Sequence, residues 1–196
     1  VYLANPDNPM GSAHRGEDIA AAMDHLPERT LLVLDEAYIE CAPDGTALPL
    51  PIDDPRVIRM RTFSKAYGLA GARVGYAMGA PELITTFNKV RNHFGMNRAA
   101  QAGAIAALED QIWLRSVQAR VVSARLKINE IASAAGLSPI KSVANFVTID
   151  CNRDAAFATR VMDALVTRGV FVRMPFAAPH NRCIRISCGR SSDLEF

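Results

Sequence analysis

The sequence predicts an α/β fold, a mainly parallel sheet with crossover helices, followed by a smaller α+β domain. Three observations carry this. Short apolar runs alternate with helix-forming stretches through the first half of the chain, the pattern of parallel strands joined by helices. Two of those runs end on polar residues, Asp35 and Thr62, at the carboxyl ends of strands, where open α/β sheets place their ligands. Beyond a turn signal at Gly136-Leu137-Ser138-Pro139 the pattern changes to strand, helix, strand, strand.

Taken in order, residues 1–4 read as a buried strand and residues 16–26 as an amphipathic helix with acidic residues in its first turns. Residues 30–34 give a Leu/Val strand ending at Asp35, and residues 57–61 give another ending near Thr62. A short strand at 73–78 is followed by a helix from about 81 to 91. Residues 98–135 are helix-forming throughout and hold no Pro, enough for two helices or one long one leaving the first domain. In the tail, 146–149, 170–173 and 183–187 read as strands and 155–168 as a helix.

Composition narrows the function classes. The 196 residues are 49% hydrophobic and 21% charged, with 22 basic against 20 acidic side chains. That balance gives no electrostatic footprint for nucleic acid. The apolar runs at 31–34 and 102–108 fall far short of the ~20 residues that span a bilayer. The opening Val1-Tyr2-Leu3-Ala4-Asn5 has no basic leader or cleavage pattern. Cys41, Cys151, Cys183 and Cys188 lack metal-site spacing and read as free thiols. His14, His25, His93 and His180 are scattered, and read as surface or core rather than as ligands. Trp113 reads as core, and Arg115, Arg120, Arg125 and Lys127 as a solvated helix face.

The residues that carry chemistry fall in four segments. They are Asn5-Pro6-Asp7-Asn8-Pro9-Met10-Gly11, Asp35-Glu36-Ala37-Tyr38, the run from Thr62-Phe63-Ser64-Lys65-Ala66 through Gly68-Leu69-Ala70-Gly71-Ala72-Arg73 to Gly75, and Ile184-Arg185-Ile186-Ser187-Cys188-Gly189. Singly each has a plain structural reading. An Asn/Pro/Gly cluster is a turn, Asp35 a helix cap, Tyr38 a packed ring, Arg73 a surface cation and Arg185 one half of a cross-strand ion pair. The Gly68/Gly71/Gly75 spacing is not Gly-x-Gly-x-x-Gly, so dinucleotide binding is not supported.

Together, in this order and spacing, the segments resemble the fold-type I (class I/II) pyridoxal-phosphate-dependent aminotransferases. The likeness is strongest to the histidinol-phosphate aminotransferase group, through Thr-x-Ser-Lys-Ala, Gly-Leu-Ala-Gly-x-Arg and Ala144-Asn145-Phe146. The resemblance implies a three-layer sandwich for the large domain. Residues 1–108 would form the C-terminal part of that domain, and 109–196 the long connecting helix and small C-terminal domain. It also implies a segment of a longer protein, because the family's phosphate cup and ring-stacking residue come from sequence before the first motif.

The same resemblance assigns roles. Pyridoxal 5′-phosphate would be held by Lys65 as a Schiff base, since a lysine amine in a cationic, partly desolvated pocket forms an imine with an aldehyde. Lys65 would also move the proton at the substrate carbon. Asp35 would face the pyridine nitrogen, Tyr38 and Asn8 the ring hydroxyl, and Thr62, Ser64 and Arg73 the phosphate. Lys65, Asp35 and Tyr38 form the catalytic set. Arg185 would take the substrate α-carboxylate in a two-pronged contact, Asn145 would assist it, and Arg173 would contact the phosphate of a histidinol-phosphate substrate. The stretch between Arg173 and Arg185 departs from the family's usual pattern.

The implied reaction moves an amino group from an amino acid or histidinol phosphate to a 2-oxo acid, in a cytoplasmic homodimer without nucleic-acid or membrane partners. The alternatives are a decarboxylase of the same fold, because the cofactor carries the chemistry, and a non-catalytic regulator module, because fold does not fix function.

Overall fold

A computed structural model of the chain describes residues 1–195. It separates into two compact units. The first comprises Val1–Asp7 and Ala13–Gln118, the second Asn8–Ser12 and the chain from Ala119 onward. The division between Gln118 and Ala119 falls within a helix. Four residues of the first motif, Asn8 to Gly11, group with the second unit.

In the first unit β1 (Tyr2–Ala4), β2 (Leu32–Asp35), β3 (Val57–Thr62) and β4 (Gly75–Met78) form one sheet in that order. The first three strands are parallel and β4 is antiparallel to β3. The β1–β2 crossover carries α1 (Gly16–Met23). Ile19 and Met23, one helical turn apart, pack with Leu32, Leu34, Leu48 and Val57. Gly16 opens α1 because a Cβ there would run into the Ala47 carbonyl. The helix stops three residues before the expected 26: the N–H groups of Asp24, His25 and Leu26 turn to carbonyls three residues back, the tightening common at helix ends, just ahead of Pro27.

β4 begins at Gly75 rather than at 73 because Arg73 takes a left-handed backbone, φ 54°, which a strand cannot include. The helix expected at 81–91 is shorter: α2 (Pro81–Thr86) passes into a 3₁₀ turn at Phe87–Lys89. Two β-branched residues near its end, Thr85 and Thr86, bond back to the Pro81 and Leu83 carbonyls. The long helical stretch is two helices, α3 (Arg98–Glu109) and α4 (Gln111–Ala134). Asp110 makes the break at ψ 67°, and its Oδ1 accepts the Trp113 N–H at 2.9 Å. Trp113 is half exposed at 51%, so the expectation of a core ring is corrected; the cap fixes its backbone and leaves its side chain outward. Ala100 and Ala104 of α3 pack with Phe63 and Val74.

In the second unit β5 (Ser138–Pro139), β6 (Phe146–Asp150) and β7 (Cys183–Ser187) form an antiparallel sheet in that order. α5 (Ala155–Thr167) supplies Ala158 and α4 supplies Ile128 and Ala132 to a core closed by Val147, Ile149 and Ile184. A short α6 (Ser191–Leu194) follows. Val147 and Ile149 alternate with Phe146 and Thr148, so the two faces of β6 carry different residues. The strand expected at 170–173 reduces to one bridge, Arg173 to Arg185; on one side the Val170 N–H is committed to the Leu165 carbonyl at the end of α5, at 2.9 Å, and on the other Pro175 has no N–H to carry the ladder on.

Candidate functional site

The first unit gathers one set of the predicted residues at the carboxyl ends of neighbouring parallel strands. Asp35 ends β2 and Thr62 ends β3. Asp35 Oδ1 accepts the Ala37 N–H at 2.9 Å, and its Oδ2 accepts from the Tyr2 hydroxyl, contributed by the neighbouring strand β1. That bond, with burial and the carboxylate charge behind it, pushes the Tyr2 phenol up to about 12. Asp35 is therefore a carboxylate with one oxygen fixed by its own backbone and the other turned to a neutral donor.

Lys65 stands three residues past the end of β3 on a loop with two anchors. Phe63, 3% exposed, packs on Tyr67 and Tyr76 at ring-centroid distances of 5.0 and 5.5 Å, and its N–H reaches the Val74 carbonyl. Ala66 is buried on the far side of the lysine. The Gly68 N–H closes the turn on the Lys65 carbonyl at 2.9 Å, and Leu69 N–H returns to Phe63. With the neighbours pinned, the Lys65 Nζ lies 5.1 Å from the centroid of the buried Tyr38 ring, within the range of a cation–π contact.

Thr62 Oγ1 accepts the Ser64 N–H at 3.1 Å and lies 3.5 Å from the Val74 carbonyl. Arg73 is exposed, and its Nη1 donates to the Ala70 carbonyl at 2.8 Å. The structure thus brings Asp35, Tyr38, Thr62, Ser64 and Lys65 onto strand ends and the loops that follow them, whereas the Arg73 side chain turns back on its own loop.

Beneath this set lies an ion cluster that sequence reasoning passed over. Glu36, 1% exposed, accepts from Arg59 Nη2 at 2.8 Å and Nε at 3.2 Å, and from Arg61 Nε at 2.9 Å. The Arg61 guanidinium loses some basicity to burial, but the facing Glu36 carboxylate more than restores it, raising its pKa. The readable signal was Asp-Glu at one strand end with Arg-x-Arg on the next strand, since alternate residues share a face.

The second unit gathers the other set. The segment Asn8–Ser12 is tied to β6 through the hydroxyl of Thr148, which donates to the Pro9 carbonyl, and through the Val143 N–H, which donates to the Gly11 carbonyl at 2.8 Å. Arg185 sits opposite Thr148 on β7. Its Nη1 donates to Asn8 Oδ1, and its guanidinium lies 4.8 Å over the Phe146 ring. Arg173 pairs with Arg185 through both backbone hydrogen bonds. Asn8, Arg173 and Arg185 line one cavity, together with His180 and several apolar side chains that sequence reasoning did not select. Asn145 does not line it; its carbonyl accepts the Cys188 N–H at 2.9 Å.

Among the described residues there is no group of His, Cys, Asp or Glu arranged to hold a metal ion, and no helix is long and apolar enough to cross a membrane. Asn5, in the first motif, has a structural part: its buried side chain accepts the His14 N–H and donates to the His14 and Thr46 carbonyls.

Comparison with known proteins gives a consistent picture. The family model described as aminotransferase class I and II matches residues 1–195. Histidinol-phosphate aminotransferase 1 of Nitrosococcus oceani is 37% identical over 196 residues, covering 98% of this chain and 52% of that protein. An aromatic amino acid aminotransferase of Nocardia farcinica is 41% identical over 180 residues, 88% of this chain and 49% of its own length. A solved structure of histidinol-phosphate aminotransferase from Sinorhizobium meliloti, in complex with pyridoxal-5′-phosphate, is 52% identical with a TM-score of 0.95, over 100% of this chain and 54% of that one. The chain spans about half the length of the curated relatives it matches.

Proposed function

The chain belongs to the aminotransferase class I and II family, and from that membership we propose that it forms part of a pyridoxal-5′-phosphate-dependent aminotransferase. Its reaction transfers an amino group from an amino acid or histidinol phosphate to a 2-oxo acid. The likeness to the histidinol-phosphate and aromatic amino acid enzymes supports this donor range. Residues 1–108 are read as the C-terminal part of the cofactor-binding domain and 109–196 as connecting helix and small domain, Phe196 lying outside the described residues. The full protein is taken to be a cytoplasmic homodimer, as in the family it resembles.

The observation that carries the proposal is the first unit's donor set: an amine, Lys65, over the Tyr38 ring, with a carboxylate, Asp35, and the hydroxyls of Thr62 and Ser64 at the ends of adjacent strands and the loop beyond. That chemistry fits the group, which has an aldehyde, a basic ring nitrogen, a ring hydroxyl and a phosphate. When bound, pyridoxal phosphate supplies the carbonyl that takes up the donor's amine and a ring that spreads the electrons of the broken Cα–H bond.

The protein's residues do the rest. Lys65 would hold the aldehyde carbon and, once displaced from it by the donor's amine, would carry a proton to and from the donor's Cα. The Asp35 carboxylate, whose oxygens already accept from the Ala37 N–H and the Tyr2 hydroxyl, would supply the countercharge that keeps the ring nitrogen protonated. Tyr38 and Asn8 donate to the ring hydroxyl. Thr62, Ser64 and Arg73 hold the phosphate with hydroxyls and a guanidinium. Arg185 grips the donor's carboxylate, assisted by Asn145, and Arg173 meets a phosphate-bearing donor.

The test uses the full-length gene product with added pyridoxal phosphate. The visible band that the cofactor gains on joining a lysine is expected in the native protein and absent in Lys65→Ala, with turnover lost alongside it. A Lys65→Ala protein that keeps both band and rate sinks the reading. Release of carbon dioxide in place of a 2-oxo product would move the assignment to a decarboxylase.

A further inference from the structure

We propose that Tyr2 is a positioning residue for the cofactor site: its hydroxyl, by donating to Asp35 Oδ2, holds the carboxylate that is to face the pyridine nitrogen. The proposal rests on the role given to Asp35 in the transamination reading above.

Sheet register brings the two residues together. β1 and β2 run parallel, with Tyr2 opposite Val33 and Ala4 opposite Asp35. Residues two apart on a strand share a face, so Tyr2 and Asp35 are diagonal neighbours on one face of the sheet. Such diagonals lie about 7–8 Å apart, still within reach of an aromatic side chain. Ala4, the residue directly opposite Asp35, has no side-chain polar atom to offer.

Packing does not account for the tyrosine. Tyr2 is 63% exposed and joins none of the apolar clusters among the described residues. Its direction is set by the carboxylate it bonds. Removing the hydroxyl should therefore cost the fold little, and what it changes can be read at Asp35.

The use of a phenol follows from charge. Asp35 Oδ1 accepts the Ala37 N–H at 2.9 Å and Oδ2 accepts from Tyr2, so the carboxylate cannot swing about its Cβ–Cγ bond without losing one of the two. An ionised carboxylate has about four acceptor sites, which leaves places for a further donor. A lysine or arginine could also hold Oδ2, but its positive charge would compete with a protonated ring nitrogen for the same carboxylate. Tyr2 brings no charge. Its hydrogen bond to Asp35, aided by burial and the carboxylate charge, pushes the phenol up to about 12, so it remains a neutral donor near neutral pH. The carboxylate is thereby fixed without being discharged.

The test compares the full-length gene product with Tyr2→Phe, which keeps the ring and removes only the hydroxyl. Titration of the cofactor-free proteins with pyridoxal phosphate, followed by the visible band, is expected to show affinity about tenfold weaker in the variant, the equivalent of one bond to a charged group. The rate constant kcat for an amino-acid donor should fall by a similar factor while KM stays within about twofold, because the bond bears on the ring and not on the donor. Both measurements are repeated in an Asp35→Asn background. There the loss of the hydroxyl should cost no more than about twofold, since a residue that acts through another shows a non-additive cycle. Should Asp35→Asn bind the cofactor too weakly to titrate, the cycle is read in melting temperatures of the cofactor-free proteins, where the hydroxyl–carboxylate bond is already made and the same non-additivity is expected.

A Tyr2→Phe protein with native cofactor affinity and kcat overturns the proposal, as does a loss that persists in full in the Asp35→Asn background. So does a lowered melting temperature with cofactor affinity intact, which makes the tyrosine structural only. If the native protein itself never forms the visible band, the transamination reading fails and the proposal falls with it; a native band with an unaltered Tyr2→Phe sinks the proposal alone.

Discussion

Glu36 and Arg61 join across the β2–β3 pair at 2.9 Å, one residue beyond Asp35 on one strand and one residue before Thr62 on the other. The two residues proposed to face the cofactor at these strand ends are thus each adjacent to a partner in one buried ion pair, and Arg59 completes the cluster from the same face of β3. Replacing Glu36 by Gln would leave two guanidiniums facing a neutral amide in a largely buried site. Breaking such a cluster from one side costs about 3–5 kcal/mol. Urea denaturation of Glu36→Gln should show a loss of that order, with weaker pyridoxal phosphate binding in whatever protein remains folded. A midpoint within experimental error of the native one would show that the cluster contributes nothing to the strand ends.

Arg185 is held by two contacts that a lysine cannot reproduce together, the bond to Asn8 and the stack on Phe146. A planar guanidinium also meets a carboxylate with two parallel bonds, where an ammonium offers a point charge. Arg185→Lys should therefore raise KM for amino-acid donors by about tenfold to a hundredfold, the equivalent of a charged hydrogen bond worth ~1.5–3 kcal/mol. Steady-state kinetics with a carboxylate-bearing donor checks this. An unchanged KM would remove Arg185 from the substrate site.

Much of this was legible in the sequence, and the residues show why. Strand ends at Asp35 and Thr62 announce themselves because an apolar run gives way to polar side chains where the sheet stops, and the strand read at 183–187 matches β7. The motifs around Asp35 and Lys65 were readable because their chemistry demands particular residue types at fixed spacing. What stayed hidden depends on contacts distant in sequence. Membership of Asn8 in the second unit is set by Thr148 and Val143, more than a hundred residues on. The exposure of Trp113 follows from a cap at Asp110 that composition does not reveal. The failed strand at 170–173 turns on how far a ladder extends, which the Val170 N–H, bonded back to Leu165, and Pro175 limit from either side.

Gly11 and Gly45 both have left-handed backbones, φ +78° and +81°, but differ in their surroundings. A Cβ on Gly45 meets nothing within 4 Å, whereas one on Gly11 collides with the Ser142 side chain. Gly45→Ala should cost only the left-handed strain, about 1–2 kcal/mol. Gly11→Ala should cost that plus an overpacking term of about 1–3 kcal/mol. Thermal melts of the pair measure the difference. Equal losses would mean that the loop around Ser142 yields freely.

Glu40 gives a pH dependence with a definite sign. Neither of its carboxylate oxygens is hydrogen-bonded, although both are buried. Burial pushes its pKa up, and the Glu36 charge adds to this, against the pull of Glu40's own nearby backbone N–H and of Arg61. The folded protein therefore holds the Glu40 proton more tightly than the unfolded chain does. Its contribution to stability is complete below the unfolded value of about 4.3 and is lost as the pH rises through the raised folded value. Above that, a buried carboxylate without a partner is a net cost. Glu40→Gln removes the charge while keeping the shape, so it should stabilise the protein near neutral pH by on the order of 1 kcal/mol, with the gain vanishing toward about pH 4. Melting temperatures of the two proteins across that interval test this, and curves that run parallel would show that Glu40 titrates as it does in the unfolded chain.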